Sequence, residues 1–339
     1  MILVTGATGL VGTHLLVKLM QQSDTVRALY RTDTKKEYAR KVFSSYFPEE
    51  KKHLFDTIDW VQGDLNDIPK LTEAFEGITH VYHCAAKISF NPSHYKKLRK
   101  INIEGTANIV NLCLIKGIEK LGYVSSIATL EKNISNTPIN EKAEWNPEIP
   151  NSAYAITKYG AEMEVWRGVQ EGLNAIIVNP GIIIGPGFFD TGSGYLFKKI
   201  YTGMPYYTTG TTGFVAVQDV VAILHQLMSS NHTNQRYILV GENLSFQSAF
   251  TKIAEALHKT PPKKEASPFL MKIAYYAQSI GHILFKTNRS IFKSSIRSAF
   301  STTYYENDKI KKEIAYTFYP IEKSIQETAT YFLNEQASR

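Results

Sequence analysis

Tyr154 and Lys158 stand four residues apart, so on a helix they share one face. A phenol beside an ammonium can hand a proton to an oxygen gaining negative charge, as happens when hydride adds to a carbonyl. Alone, a phenol with a pKa of about 10 is sluggish near neutrality. A neighbouring Lys⁺ would stabilise phenolate and lower that value. A serine hydroxyl would polarise the carbonyl oxygen. Ser125 and Ser126 are both available, and alternation along a strand end should turn only one inward, here expected to be Ser126. The spacing itself is not specific, since Tyr195/Lys199, Tyr305/Lys309 and Tyr319/Lys323 share it. Location separates them. Only Tyr154/Lys158 falls on a predicted helix (151–170) between predicted strands 120–125 and 175–179. The carboxyl ends of such strands are where open α/β sheets bind ligands.

A second constellation opens the chain. Strand 1–5 runs into Gly6, Thr8, Gly9, Leu10, Val11 and Gly12, which begin a predicted helix with apolar residues at 11, 15, 16, 19 and 20. Gly6 permits the turn, Gly9 lets a pyrophosphate approach the backbone, and Gly12 lets the helix sit on the strand. The helix N-terminus offers free N–H groups to phosphates. Nineteen residues after Gly12, at the end of the second predicted strand, stands Arg31, with Lys35 and Lys36 nearby. Arginine there accommodates a 2′-phosphate where an acid would hold a free ribose hydroxyl, so NADP is the expected cofactor, with NAD the alternative. An ordinary exposed arginine is the competing reading. Asp64 and Leu65 follow the third strand; Asp64 could accept from an adenine amino group, cap a helix, or both. Ala85, Ala86 and Lys87 end the fourth strand, where small residues let the cofactor pass close to the backbone.

These motifs need a frame. Strands at 1–5, 25–30, 58–62, 80–85, 120–125 and 175–179 alternate with helices at 10–20, 69–75, 93–115 and 151–170, with 32–57 partly helical. That alternation demands parallel pairing, and hence a Rossmann-type doubly wound α/β sheet with helices on both faces. The pattern changes after Gly181. A strand-helix unit at 214–229, a strand at 236–240 and three or more helices follow. The expected division is a dinucleotide-binding domain of 1–185 that also receives 214–240, and a smaller, mainly helical substrate lobe of 186–213 and 241–339.

Composition narrows the class. The 339 residues are 43% hydrophobic and 20% charged, which suits a folded core rather than a disordered chain. Two cysteines, Cys84 and Cys113, leave no disulfide framework or cysteine-built zinc site. Nine histidines lack metal-ligand spacing, so no metal is expected, and His14, His83 and Cys84 read as structural. The first residues form a strand rather than a leader, and no run of about 18 apolar residues exists. A cytoplasmic setting with no membrane span is therefore expected. The net charge of +7 is concentrated between Lys263 and Lys312, where ten Lys/Arg face three acids. That stretch reads as a solvated helical surface or as an attractor of an anionic substrate, nucleic acid or membrane. Segment 268–285, apolar but broken by Lys272, Gln278 and His282, could pack on its own protein, line a pocket or lie on a membrane.

The motifs together resemble the extended short-chain dehydrogenase/reductase family, which includes NAD-dependent epimerases/dehydratases and dihydroflavonol-4-reductase-like enzymes. They are TGATGLVG at 5–12, GDL at 63–65, HCAA at 83–86, NIEGT at 102–106, VSSIAT at 124–129, YAITK at 154–158, NPGIIIGPG at 179–187 and FVAVQDV at 214–220. The resemblance implies a Ser126, Tyr154, Lys158 triad with Asn102 in support. It also implies nicotinamide contacts from the backbone of Pro180, Gly181, Ile182 and Ile183, and a homodimer through helices 93–115 and 151–170. Three departures stand out. Ile127-Ala128 occupy the place of the Asp-Glu of sugar-nucleotide dehydratases. Thr212-Gly213 replace the Arg-Asp of sugar-nucleotide epimerases, and Arg31 stands where those epimerases keep an acid. The implied function is an NADP(H)-dependent oxidoreductase acting on a small to medium, partly apolar carbonyl or alcohol. The alternatives are an NAD-dependent sugar-nucleotide epimerase, or a non-catalytic redox-sensing or nucleic-acid-binding protein; no nucleic-acid partner is expected.

Overall fold

The computed structural model describes the backbone of residues 1–130, 137–285 and 292–338, and their side chains apart from 280–285. Lys286 and Arg289 of the basic stretch, and the side chain of His282, lie outside the described residues.

Short β-branched and aromatic runs form seven parallel strands: β1 (Ile2–Thr5), β2 (Val26–Tyr30), β3 (Asp59–Gln62), β4 (His80–His83), β5 (Lys120–Val124), β6 (Ala175–Pro180) and, later in the chain, β10 (Gln235–Leu239). Their spatial order is β10-β6-β5-β4-β1-β2-β3. The winding reverses between β1 and β4, which pair from Ile2↔His80 to Thr5↔His83. Crossovers leave in opposite directions there, so a crevice opens at the carboxyl ends of those two strands.

Helices cover both faces. On one side α1 (Leu10–Gln21), α2 (Asp33–Ser44) and α8 (Val217–Met228) bury Leu15, Leu16, Phe43 and Leu224 against the sheet. On the other, α3 (Ile68–Ala74), α5 (Gly105–Ile115) and α6 (Ala153–Gln170) bury Leu71, Ile109, Ala161 and Val165. The expected helix at 93–115 is broken into α4 (Tyr95–Leu98), a π-helical turn at Arg99–Glu104, and α5. The wider turn is offset by the hydrogen bonds of Asn102, which it turns inward.

Three short strands form a separate sheet. β9 (Thr211–Ala216) does not join the central sheet but pairs with β7 (Ile182–Ile184) and with β11 (Glu242–Ser245). The two-residue strands β8 (Tyr206–Tyr207) and β12 (Lys264–Glu265) form a further ladder. Around them α7 (Gly194–Tyr201), α9 (Phe246–Ala256) and α13 (Ile321–Ala337) bury Phe197, Phe250, Ile253, Ile325 and Phe332 in a core of their own. The helices α10 (Pro268–Phe285), α11 (Lys293–Phe300) and α12 (Asp308–Ile314) complete the chain.

Candidate active site

The glycine turn fits the roles expected from its spacing. Gly6 has φ +67°, and a Cβ there would sit 2.5 Å from the Ala85 nitrogen. A Cβ on Gly12 would lie 2.2 Å from the Gly6 carbonyl oxygen. Both glycines are demanded by the fold itself. Gly9 is different: its Cβ would meet only the Gly6 oxygen, at 3.4 Å. Gly9 also caps α1 without a side-chain acceptor, and the first turn holds no acid. The protein thus leaves a bare helix N-terminus beside backbone that a phosphate can approach.

A cavity of ≈150 Å³ runs from this turn along the sheet edge, lined by Gly6, Thr8, Gly9, Arg31, Lys35, Asp64, Leu65, Ala85 and Ala86, among others. Leu10 and Val11 form the first turn of α1 beside it. The Asp64 Oδ1 accepts from the Asn66 backbone and side-chain nitrogens at 3.0 and 3.2 Å, and Oδ2 lies 3.8 Å from Arg31. Asp64 is not the cap of α3; Asp67 fills that position. Arg31, Lys35 and Lys87 crowd one end. Burial and the Arg31 and Lys87 charges hold the Lys35 ammonium below its ordinary pKa. Burial, Lys97 and Arg31 do the same to Lys87. Asn102, itself buried, binds both the Lys87 N–H (2.8 Å) and its carbonyl (3.1 Å). The Lys87 backbone is therefore committed to Asn102, and its side chain is what remains to face a ligand.

Ser126 lies two residues past β5 in extended conformation, and its Oγ accepts from the Ala128 N–H at 3.1 Å. Its hydroxyl is also near enough to the Tyr154 phenol to pull that group's pKa down. Ser125 points the other way and donates to Glu162 Oε2 at 2.6 Å. The two adjacent serines thus face different partners, as strand alternation requires. Tyr154 is half-buried, with the Phe90 ring edge-on at 6.0 Å.

Lys158 is 1% exposed. Its ammonium donates to the Tyr123 hydroxyl (2.7 Å) and the Val124 carbonyl (2.8 Å), and lies 4.4 Å from the Tyr123 ring centre. Burial lowers its pKa to about 7, against the raising effect of Glu162 and Cys84. The Tyr154 phenol departs from expectation. Burial raises its pKa, and only the neighbouring Ser126 hydroxyl pulls it back. In this structure desolvation of the phenol outweighs any help from the lysine, two of whose three donors go to Tyr123 and Val124.

Composition and spacing did not single out Glu162. It lies one turn beyond Lys158 on the Tyr154 face of α6 and is wholly buried. Oε2 accepts from Ser125, from Thr129 (2.9 Å) and from Asn179 (2.9 Å), while Oε1 faces Arg236 at 3.2 Å. A group surrounded by donors alone serves as an ionised acceptor. The 154/158/162 periodicity was its one sequence signal. Tyr123 was missed too. Its partners, among them His83 stacked at 5.4 Å, come from other elements. His83 is structural: it bridges Thr5 (2.6 Å) and Thr106 (2.9 Å), and burial lowers its pKa to about 3. Burial lifts the Cys84 thiol to about 12, which leaves it inert.

Residues 2–241 match the model of the NAD dependent epimerase/dehydratase family. The chain belongs to that family. It is an enzyme of the extended short-chain dehydrogenase/reductase type, with a nicotinamide dinucleotide as the family's cofactor. It is 28% identical over 338 residues to a putative dihydroflavonol 4-reductase of Synechocystis sp., covering 98% of this chain and 94% of the relative. It is 26% identical over 274 residues to sterol demethylase protein B of Methylococcus capsulatus, covering 80% and 78%. In fold it resembles the Thermotoga maritima UDP-glucose 4-epimerase, with a TM-score of 0.76 over 99% of both chains at 18% identity.

Ile127 is buried in an apolar cluster with Leu130, Ile139 and Val240. Neither it nor Ala128 can give or take a proton. Pro180 and Gly181 lead from the central sheet into β7, with the Gly181 N–H bonded to the Leu239 carbonyl. Ile182 and Ile183 pair with β9, and the Ile183 carbonyl accepts from Ser193.

Proposed function

We propose that this family member is an NADP(H)-dependent carbonyl reductase, or the corresponding alcohol dehydrogenase, for a small to medium and partly apolar substrate. The observation that carries the reading is the Ser126–Tyr154 hydroxyl pair beside an apolar rim. Phe90, edge-on to Tyr154, is 46% exposed, and Ile88, two residues before it in the chain, is 51% exposed. Large exposed apolar groups beside a reacting pair favour an apolar ligand.

The residues present fit a dinucleotide. The bare N-terminus of α1 and the open face of Gly9 suit a pyrophosphate, and Arg31, Lys35 and Lys87 would hold a 2′-phosphate. Their mutual repulsion is relieved by an anion placed among them. When bound, the cofactor supplies or accepts a hydride. Tyr154 gives its proton to the substrate oxygen as charge develops there, and Ser126 holds that oxygen by a hydrogen bond. Lys158 supplies the positive charge of the site from below. Pro180–Ile183 would lie along the nicotinamide. A sugar-nucleotide epimerase is less well supported. The place of the epimerases' diphosphate-gripping arginine is held by Thr212, whose short uncharged side chain has no cation to offer a diphosphate.

The test is a panel of apolar aldehydes and ketones followed by loss of NADPH absorbance and repeated with NADH. Turnover that is faster with NADPH and lost in Tyr154→Phe is expected. Tight retained NAD with no net cofactor turnover, on a sugar nucleotide, would overturn the reading.

A further inference from the structure

Helix α10 is apolar in composition, yet none of its described side chains is buried. Phe269 is 72% exposed, Tyr276 59%, Ile273 50% and Leu270 38%. Residues 269, 273 and 276 fall on one helix face, and Leu270 widens it. One exposed leucine is ordinary; a stripe of four large apolar groups on one helix is an interaction surface.

Charge identifies the occupant. From Lys263 to Arg297 the sequence holds seven Lys/Arg and one acid, Glu265. Lys263, Lys264, Lys272, Lys293 and Arg297 are exposed on and beside α10. A second copy of the chain, docked by the same face, would bring two cationic surfaces together. A nucleic acid would use the cations but leave the aromatic stripe in water. An anionic bilayer uses both: headgroups meet the lysines, and the stripe sinks into the boundary of the acyl chains.

We propose that α10 is a docking surface by which the protein lies on anionic membranes, with the helix axis in the membrane plane. Among the described residues no helix is long and apolar enough to cross a membrane, so the attachment is peripheral. α11, against which α10 packs, ties to the rest of the molecule through Arg297, whose Nη1 donates to the Pro150 carbonyl at 2.9 Å. Pro150 lies just ahead of α6, so the docking surface is anchored next to the catalytic helix. The proposal stands apart from the reductase reading and can fail without it.

The experiment is co-sedimentation of the full chain with phosphatidylcholine vesicles made with and without phosphatidylglycerol. Binding to the anionic vesicles that weakens severalfold as salt is raised is expected. The triple variant Phe269→Ser/Ile273→Ser/Tyr276→Ser should bind at least about tenfold more weakly with an unchanged thermal midpoint. Lys263→Glu/Lys264→Glu/Lys272→Glu should also lose binding. No binding of the wild type to anionic vesicles would overturn the proposal, as would equal binding by the serine variant. So would a concentration-dependent wild-type dimer that the serine variant abolishes, because a second copy would then cover the face.

Discussion

Glu162→Gln should shift the pH dependence of catalysis without removing any group that touches substrate. On the proposed mechanism Lys158 acts as a cation near Tyr154, and burial holds its pKa at about 7. Glu162 works against that burial from one helical turn away. Side chains so spaced lie about 6 Å apart, and at an effective dielectric of about 20 their attraction is about 3 kcal/mol. At about 1.4 kcal/mol per unit, that is an upper limit of about two pKa units. The sign is fixed: losing the carboxylate disfavours the ammonium, so its pKa falls. The variant's high-pH limb in kcat/KM should therefore move down by about one to two units. Near neutrality the variant should be roughly tenfold slower or worse, and it should recover toward pH 5. The amide still accepts from Ser125, but Arg236 loses its ion pair, so a drop of about 2–4 kcal/mol in stability is expected. The assay is initial rate against pH on protein shown to be folded at each point. A folded variant whose limb stays at the wild-type position would refute the role of Glu162, and with it the titration of Lys158 in this range.

Three further outcomes follow from the geometry. Arg31→Ala should weaken NADPH binding by roughly 5–30-fold, the worth of a charge-assisted contact of about 1–2 kcal/mol, and leave NADH binding unchanged in titration. Gly9→Ala should fold normally yet lose dinucleotide affinity, whereas Gly12→Ala, with its 2.2 Å clash, should lower stability by roughly 2–3 kcal/mol or more in denaturant unfolding. Lys158→Met should be inactive but more stable at neutral pH, by on the order of 3–5 kcal/mol, since it removes a cation whose pKa falls from 10.5 to about 7 on burial. That penalty is full below about pH 7 and gone above the unfolded value, so wild-type stability should rise across this window where the variant's does not.

The glycine turn could be read from residue order because its demands are local. A turn that needs positive φ at Gly6, an open face at Gly9 and close contact at Gly12 writes three glycines at fixed spacing into one short segment. Parallel strands, helices between them and the strand ends that carry Ser126 and Pro180 were legible for the same reason. The small sheet was not: β7 and β11 are three and four residues long, too short for a two-residue period to stand out, and their partner β9 was placed with the helix that follows it. The π-helical turn at Arg99–Glu104 likewise leaves no mark in composition, because it is held by the contacts of Asn102 with Lys87 and Thr157.

The choice between two adjacent serines shows how the illegible part controls the legible one. Strand alternation says only that Ser125 and Ser126 diverge. What fixes the outcome is Glu162, which takes the Ser125 hydroxyl at 2.6 Å and with Asn179 and Thr129 closes a buried polar cluster under the end of β5. Glu162 stands on the same helix as Tyr154 and Lys158. The bond from Ser125 therefore ties the strand end to the helix that carries Tyr154. Should α6 shift, Ser126 and Tyr154 shift together, and the pair proposed to meet the substrate oxygen keeps its geometry. An apolar residue at 162 would fill the space but leave the Ser125 hydroxyl buried without its acceptor, while Asn179 keeps the Ser126 carbonyl and Thr129, and Arg236 keeps the Glu141 and Ala143 carbonyls; re-pairing of Ser125 would turn the end of β5 away from Tyr154.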